Sequence, residues 1–374
     1  MKINQIYSTI NEIANNMQYT GNTVVDTTTF ADFGKHVLSS DNNRETFYNI
    51  LVDRIGRTAF AIREYKAQGL DIRVDAFTFG AIYQKIRFGH KESEDSSSWN
   101  NSGDNPYTVV SNTKLIQNLY NGKLGTFSYV DIIYDHQLES AFASPTQMGS
   151  FFNSLYTNIY NELESSSYGL ELYTLNSLIG ALYSNFETTP KRCRKVLTEY
   201  NTLFTKELTS ENALTDKAFL DWLQKEFKKA KDNMKQLTRN YNDGSVNTHT
   251  DENNLSFYIL NDVAYSYDTY YSEKFNAEFV KLPRYKSLVN FGQASNPDVV
   301  KVSIDINNTG VSTEVTVNNV IGIMCDKDAC VCTLDREREI SMYDKWNART
   351  PIKVEADRRY IIDLSENAIL WVLE

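Results

Sequence analysis

The stretch from Asn49 to Phe88 reads NILVDRIGRTAFAIREYKAQGLDIRVDAFTFGAIYQKIRF, and this stretch decides the fold. Apolar and charged residues alternate along it with the period of two that is typical of half-buried strands. Gly69 and Gly80 supply bends between the runs. Each strand residue adds about 3.3 Å, so ten residues span roughly 33 Å, more than the radius of a compact domain. The pattern therefore predicts a long ribbon that projects toward a partner subunit.

The composition is that of an ordinary globular protein. The chain has 374 residues, of which 41% are hydrophobic and 23% charged, and this length allows two or three domains. No apolar run approaches the roughly 18 residues of a transmembrane helix, and we expect no export signal. Four cysteines in so large a chain fit a reducing cytoplasm better than a disulfide framework. The 24 Tyr and 19 Phe suit large interfaces or β-rich cores.

Helical spacing predicts a small N-terminal helix and three longer helices. The first stripe, in a polar arm, is Ile3, Ile6, Ile10 and Ile13, and we expect this arm to dock on its own domain. The strongest helix should begin after Ser144-Pro145 and continue to Leu163. A second should end at Thr188-Thr189-Pro190, and a third should begin at Thr215-Asp216, with lysines on its outer side.

The C-terminal half reads mainly as strands and turns. The order strand, helix, strand over residues 255–260, 268–282 and 287–292 predicts a small mixed sheet. A hairpin is expected between 300–306 and 314–317. Further short strands are predicted over 127–134, 320–324, 330–334, 352–355, 360–364 and 368–373. Residues 90–105 are Ser-, Asp- and Asn-rich and indicate an exposed loop.

The sequence contains no recognisable catalytic constellation. The histidines, His36, His90, His136 and His249, lie far apart, and no Gly-rich phosphate loop or Gly-x-Ser-x-Gly elbow is present. The most tempting site is Cys325, Cys330 and Cys332, because thiolates can hold a soft metal. A tetrahedral metal site needs a fourth ligand, and no further Cys or His follows. Cys330 and Cys332 lie two residues apart in a predicted strand and therefore share a face, which favours a role in the core. We predict no catalytic, cofactor-binding or metal-binding residue.

Charged clusters are interpreted as solvated or intersubunit groups. The acidic pairs Glu92/Glu94 and Asp251/Glu252 fall in polar loops and are poor candidates for acid–base catalysis. The basic run from Lys191 to Lys195 predicts either an exposed helix face or a salt link to another subunit. The net charge of −10 disfavours DNA binding by the whole surface, because that affinity comes from Lys and Arg.

Several segments, taken in this order of elements, carry a resemblance to a known family. They are Leu51–Gly56, Leu138–Ser144, Phe151–Asn161, Asn254–Leu260, Leu288–Gly292 and Met324–Asp328. These segments resemble the strand leading into the extended loop, the spine helix with its entry, the axial strand pair and the return turn of tailed-bacteriophage major capsid proteins. The resemblance is greatest to small short-tailed phages of the Bacillus podovirus type.

The resemblance implies an α+β fold with an extended β-hairpin loop, a spine helix and an axial lobe. The implied parts are an N-terminal arm (1–48), an extended ribbon (49–135), a peripheral domain (136–190 and 330–374) and an axial domain (191–329). The hairpin from Val299 to Asn319 is an addition to the family pattern. Some family members crosslink a Lys to an Asn autocatalytically, but the three residues needed for that reaction cannot be matched in this sequence.

The implied function is that of a non-enzymatic virion subunit, assembled in the host cytoplasm. Pentamers and hexamers would close into an icosahedral or elongated shell around double-stranded DNA, without sequence-specific contacts. Scaffold, portal and decoration proteins are the expected further partners, and no membrane is expected. Alternatives that stay open are an encapsulin-like nanocompartment shell, a carbohydrate-binding surface protein, and an enzyme with an unfamiliar site at Asp135 or His136.

Overall fold

A computed structural model of the protein has an α+β fold, as predicted. The structure describes residues 3–50, 70–74, 82–88, 115–121, 123–244, 247–272, 282–292, 295–305 and 311–374. The predicted strands between Leu51 and Gly69 and the predicted loop at 90–105 lie outside these residues. Strand predictions at 255–260, 300–304 and 314–317 are confirmed.

The helices and strands of the described residues have the following bounds. The helices are α1 (Ile3–Asn16), α2 (Thr27–Leu38), α3 (41–50), α4 (Asp135–Ala141), α5 (Pro145–Ser184), α6 (Val196–Phe204), α7 (Lys217–Met234) and α8 (Asn261–Ser272). The strands are β1 (Arg73–Val74), β2 (Ile82–Phe88), β3 (Leu115–Asn121), β4 (Lys123–Tyr134), β5 (Cys193–Lys195), β6 (Leu255–Leu260), β7 (Lys286–Leu288), β8 (Val300–Ile304), β9 (Thr313–Val317), β10 (Val320–Asp326), β11 (Cys330–Ser341), β12 (Arg349–Ile362) and β13 (Ala368–Val372).

Helix α5 is the spine of the molecule. Ser144 caps it by accepting a hydrogen bond from the Gln147 amide, and Pro145 occupies the first turn. Its 40 residues reach about 60 Å, so the two helices predicted between residues 145 and 190 are one. The polar stretch between them stays helical because the Ser167 and Thr174 hydroxyls donate to carbonyl oxygens one turn earlier.

The N-terminal region is more helical than predicted. It forms three helices instead of one, and Asn49 and Ile50 belong to α3 instead of a strand. Asp26 begins α2 with a capping box that it shares with Thr29. Ile6, Ile10 and Ile13 of the α1 stripe are buried in a core with the start of α5, which confirms that the arm docks on its own chain.

Two larger sheets organise the two hydrophobic cores. The four-stranded sheet has the order β1-β11-β12-β4, and the five-stranded sheet has the order β5-β13-β10-β6-β7. One face of the first sheet covers the smaller core through Ile352, Val354 and Ala356. The second sheet lies in the larger core, where Trp371 packs edge-on against Phe227 and Phe257. Strand β12 joins two strands that were predicted as separate.

Two smaller corrections concern element boundaries in the C-terminal half. Helix α8 begins at Asn261, before the predicted start at 268, directly after the buried strand β6. The pairing of β8 with β9 confirms the predicted hairpin, which packs against α5 at Gly180. A side chain at this glycine would collide with Val302, so glycine permits the close approach.

Gly169 and Gly180 of α5 offer a matched pair of substitutions. A Cβ atom at Gly169 would contact nothing within 4 Å, whereas one at Gly180 would lie 2.5 Å from Val302 Cγ2. Gly169→Ala should raise the free energy of unfolding by about 0.5–1 kcal/mol, because glycine loses more backbone entropy in a helix. Gly180→Ala should lower it by about 1–3 kcal/mol through overpacking. Urea unfolding measures both, and changes of the same sign would contradict this packing.

Candidate assembly surfaces

The described part of the ribbon is an antiparallel strand pair. Strands β2 and β3 pair from Ile82 opposite Asn121 to Phe88 opposite Leu115, which confirms the predicted hairpin for these residues. Seven residues give each strand a length of about 23 Å. The chain then enters β4, which pairs along its whole length with β12. The ribbon therefore continues directly into the four-stranded sheet.

The root of the ribbon is fixed to the spine helix and to the sheet. Leu70 and Ile72 are buried in the larger core, and the Leu70 amide donates to Glu171 Oε2 at 3.0 Å. Strand β1 pairs in parallel with β11, and the Cys332 amide donates to Ile72 O at 2.8 Å. Because these contacts are buried, the root of the ribbon is held at a fixed place on the body of the subunit.

The outward face of the four-stranded sheet is apolar and exposed. Val130, Ile132 and Tyr134 of β4 point to solvent, whereas Ile133 between them is buried in the smaller core. Ile340 of β11 is also exposed and lies in the same row of the sheet as Val130, with Lys353 between them. We call Val130, Ile132, Tyr134 and Ile340 the outer apolar face. Exposed apolar surface of this kind is typical of interaction sites.

A turn at the edge of this face presents a single tryptophan. Within residues 342–348, which we call the Trp346 turn, the Trp346 side chain is 94% exposed. The Asp344 carboxylate accepts hydrogen bonds from the Trp346 amide, the Asn347 side chain and Arg349 Nε. These bonds, led by that of Asn347, hold the pKa of Asp344 below its usual value. Hydrogen bonds therefore fix the turn, whereas the Trp346 side chain contacts solvent. An exposed aromatic side chain on a fixed turn is suited to anchor a partner.

The Trp346 turn is supported from below by a buried charged cluster. Asp135 accepts hydrogen bonds from Tyr343 Oη at 2.6 Å and from Arg44 Nη1 at 3.1 Å. The Asp135 amide also donates to Ala348 O, and the Tyr343 ring stacks on Tyr48 at 6.5 Å between centroids. Burial, and then the bond to Asp135, raises the pKa of Tyr343, so its hydroxyl remains a donor.

This cluster gives Asp135 a structural role instead of the enzymatic one considered from the sequence. His136 next to it is exposed, and its ring stacks on Tyr134 at 5.6 Å. Sequence reasoning did not find the Trp346 turn. A lone Trp among Asp344, Asn347 and other turn-forming residues between two strands was the available signal.

The cysteines lie in the hydrophobic core, as interpreted from the sequence. Cys193, Cys325, Cys330 and Cys332 are all buried in the larger core. Burial raises the pKa of the Cys193 and Cys325 thiols to about 12, because the apolar surroundings disfavour a thiolate. Among the described residues, no group of three or more His, Cys, Asp or Glu residues is placed to hold a metal ion.

The basic run from Lys191 to Lys195 is not the exposed helix face that was predicted. Residues 193–195 form β5, which pairs with β13. Arg192 is buried, and burial lowers its pKa to about 10. Arg194 bonds to Glu199 and Glu226, and Lys195 Nζ lies 2.8 Å from Glu374. These charges are paired within the chain, which argues against the alternative of an intersubunit salt link.

The remaining candidates from the sequence are surface groups where they are described. His249 is exposed and His36 is half-buried, whereas His90, Glu92 and Glu94 lie outside the described residues. Asp251 and Glu252 are exposed, and Glu252 forms ion pairs with Lys231 and Lys235 of α7. The described structure therefore brings none of these residues together with the core cysteines.

Comparison with protein families gives one match over almost the whole chain. The model for the Phi29-like phage major capsid protein matches residues 6–372. Among curated proteins, none matches this sequence significantly. Within the part of the chain that the structure describes, no helix combines the length and apolar character needed to cross a membrane.

Solved structures share the fold at low sequence identity. The capsid structure of Staphylococcus phage Andhra matches with a TM-score of 0.52 and 9% identity, covering 83% of this chain and 84% of that one. A chain in the structure of the head fiber and inner core protein gp22 of native bacteriophage P68 matches with a TM-score of 0.51 and 10% identity. That match covers 81% of this chain and 83% of the other. At these identities the likeness concerns the fold alone.

The tyrosines below the Trp346 turn provide a test of its support. Tyr343→Phe should lower the free energy of unfolding by about 1–3 kcal/mol, because Asp135 stays buried and loses one donor. Tyr48→Phe is the matched control, since the Tyr48 hydroxyl has no hydrogen-bond partner among the described residues. It should cost much less. Urea unfolding compares the two variants, and equal losses would contradict the role of the Tyr343–Asp135 bond.

Glu252 provides a test of the lysine pairs on α7. Hydrogen bonds from Lys231 and then Lys235 lower the pKa of Glu252 to about 2 from its ordinary 4.5. Because the folded pKa is lowered, the stabilisation is complete above the ordinary pKa and is lost as the pH falls toward 2. A carboxyl titration by NMR should place the midpoint near 2, and Lys235→Gln should move it upward. A midpoint near 4.5 in the unsubstituted protein would refute the pairs.

Proposed function

This chain belongs to the Phi29-like phage major capsid protein family, and we propose that its subunits form pentamers and hexamers that close around double-stranded phage DNA. The chain is a structural virion component and not an enzyme, as its family and its fold indicate. Neither the nanocompartment nor the carbohydrate-binding alternative is favoured by these matches. The nearness to short-tailed phages of the Bacillus type is part of the proposal and rests on the resemblance of the quoted segments.

The observation that carries the proposal is the outer apolar face with its ordered Trp346 turn. Its occupant in our proposal is a second copy of this chain. The face lies on β4, the strand through which the ribbon returns to the body, so a ribbon crossing a neighbour brings this face alongside it. Each interface of standard size buries about 1,600 Å², and a shell subunit has several. Arg338 and Glu355 lie beside the apolar residues as a charged rim, and Lys353 lies among them, between Val130 and Ile340.

The proposed parts of the subunit have different tasks in the shell. The ribbon (49–135) lies across a neighbour, the axial part (191–329) converges on the capsomer axis, and the peripheral part (136–190 and 330–374) tiles the wall with the arm (1–48). Support comes from the two cores, since the arm shares the smaller core with α4 and β12, and the five-stranded sheet lies in the larger one. Strand β13 of the peripheral part completes that sheet.

The charge of the subunit suits a wall that does not hold the genome tightly. The net charge is −10, and Arg194 and Lys195 of the basic run are paired with carboxylates of the same chain. Affinity for phosphates comes from available Lys and Arg, so DNA contacts should be weak and independent of sequence. Scaffold, portal and decoration proteins complete the proposed set of partners.

Shell formation is tested by removing the ribbon and leaving its buried root in place. A short Gly-Ser linker in place of residues 82–121 retains β1, β4 and the buried Leu70 and Ile72. We expect a folded subunit that forms no closed shells in electron micrographs, under conditions where the intact protein with its neighbouring phage genes does. Normal particles from this variant would refute the role of the ribbon, and no particles from the intact protein would refute the assembly proposal.

The Trp346 turn is tested by a substitution that leaves the fold intact. Trp346→Ala should leave the unfolding midpoint unchanged, because the side chain is almost fully exposed. It should raise the protein concentration needed for assembly by about tenfold or more, as loss of a buried anchor does. Light scattering measures this threshold. Tyr265→Ala, at an exposed aromatic of α8, is the matched control, and equal effects of both would contradict a special role for Trp346.

A further inference from the structure

A lysine of the ribbon reaches an acidic socket on the body of the same chain. Lys85 Nζ of β2 lies 3.2 Å from Asp363 Oδ2, contacts Glu366 Oε1, and lies 3.9 Å from Asp328 Oδ2. The Lys85 side chain is 14% exposed, and those of Asp363 and Glu366 are 3% and 8% exposed. We call Asp328, Asp363 and Glu366 the acidic socket. Removing one partner of an ion pair this buried leaves the other charge uncompensated, which is strongly destabilising.

The acidic socket is held rigidly by the surrounding backbone. Ser365 donates to Asp363 Oδ1 through both its amide and its hydroxyl, which closes the turn between β12 and β13. Two further segments bond to this turn: residues 326–329, through Asp363 N to Ala329 O at 2.8 Å and Asp326 N to Asn367 O at 2.9 Å, and Asp243, whose amide donates to Leu364 O at 3.0 Å. The socket therefore provides a fixed reference point on the body.

The charge balance of the socket calls for a cation from the ribbon. Asp363 and Glu366 place two carboxylates in a nearly buried site, and uncompensated buried charges are costly. Arg192 is buried nearby, where the fields of Asp243 and then Asp363 oppose the lowering of its pKa, and its Nη2 donates to the backbone carbonyl oxygen of Glu366 at 3.5 Å. Lys85 brings a positive charge directly to the carboxylates of Asp363 and Glu366.

Lys85 is placed where the ribbon leaves the body. It lies three residues beyond the start of β2 and opposite Asn118 of β3. Strand β3 ends at Asn121, and Lys123 of β4 already pairs with Tyr360 in the sheet. A contact at Lys85 therefore restrains the strand pair just outside its root, beyond the anchor formed by Leu70 and Ile72.

We propose that Lys85 is a positioning residue whose ammonium group, seated in the acidic socket of its own chain, fixes the angle at which the ribbon leaves the body. This inference rests on the proposed function, because that angle determines where the ribbon meets a neighbour. A shell closes only when successive subunits meet at a reproducible angle, since a rotation that does not close produces open assemblies. Loss of the contact therefore impairs closure more than it impairs folding of the subunit.

The first measurement needs no assembly. Hydrogen–deuterium exchange of the full-length unassembled subunit reports the opening of β2 and β3 directly. With Lys85→Glu we expect the amides of these strands to exchange about tenfold faster, because the ribbon is released from the socket, while the amides of α5 and β13 keep their rates. Lys85→Arg should retain slow exchange, since it conserves the charge. Unchanged exchange in Lys85→Glu would overturn the proposal whether or not the protein forms shells.

The second measurement uses charge reversal to establish that the contact is made within one chain. Lys85→Glu should lower the yield of closed shells by about tenfold or more in electron micrographs, and Glu366→Lys in the same chain should restore the yield and the particle diameter. Mixing the two single variants should not restore them. Restoration by the mixture would assign the contact to neighbouring subunits and overturn the proposal.

A matched control separates position from net charge. Lys225→Glu makes the same charge change at an exposed position of α7 and should assemble normally. An equal loss of shells in Lys225→Glu would attribute the effect of Lys85→Glu to net charge and overturn the proposal. If the unsubstituted protein forms no shells, the assembly proposal fails, and the exchange experiment still decides the role of Lys85.

Discussion

One helix connects both hydrophobic cores, and the rest of the subunit depends on it. The first half of α5 contributes Met148, Leu155 and Leu163 to the smaller core, and the second half contributes Leu175 and Ile179 to the larger one. A helix of this length is stiff. The arm and the four-stranded sheet on one side of it therefore keep a defined orientation to the five-stranded sheet on the other. Glu171 on the same helix also holds the root of the ribbon.

Two clusters of charged residues lie beneath the proposed assembly surfaces. Asp135, with Arg44 and Tyr343, lies beneath the Trp346 turn, and the acidic socket lies beneath the ribbon. Both clusters are buried, so breaking them leaves uncompensated charge, and this makes the geometry above them specific. The outer apolar face, which we propose as the contact with a neighbour, is in contrast built mainly from apolar residues. Such a division suits a protein whose function is self-association, because specificity and contact area come from different residues.

Local patterns predicted most elements of the fold from the sequence. The isoleucine stripe of α1, the cap at Asp216 of α7, the strand β6 and the hairpin of β8 and β9 are all where their periodicity or caps place them. The failures have physical causes. The Ser167 and Thr174 hydroxyls of α5 donate hydrogen bonds to carbonyl oxygens of the same helix, so a polar stretch did not end the helix. The last two residues of α3, Asn49 and Ile50, lie where alternation suggested a strand, because packing of this helix on the smaller core overrides a short pattern.

The candidate site was less predictable than the fold. From the sequence, the class of the protein came from the resemblance of the quoted segments to a known family, whereas the ribbon, the spine helix and the core cysteines followed from periodicities of 2 and 3.6 and from residue type. Only the tertiary structure decided that Arg192 is buried, that Asp135 supports the Trp346 turn and that Lys85 meets Asp363. These contacts join residues far apart in the chain, here positions 85 and 363, and no local pattern encodes such a distance. Burial and charge pairing arise only when the sheets and the helices have packed together.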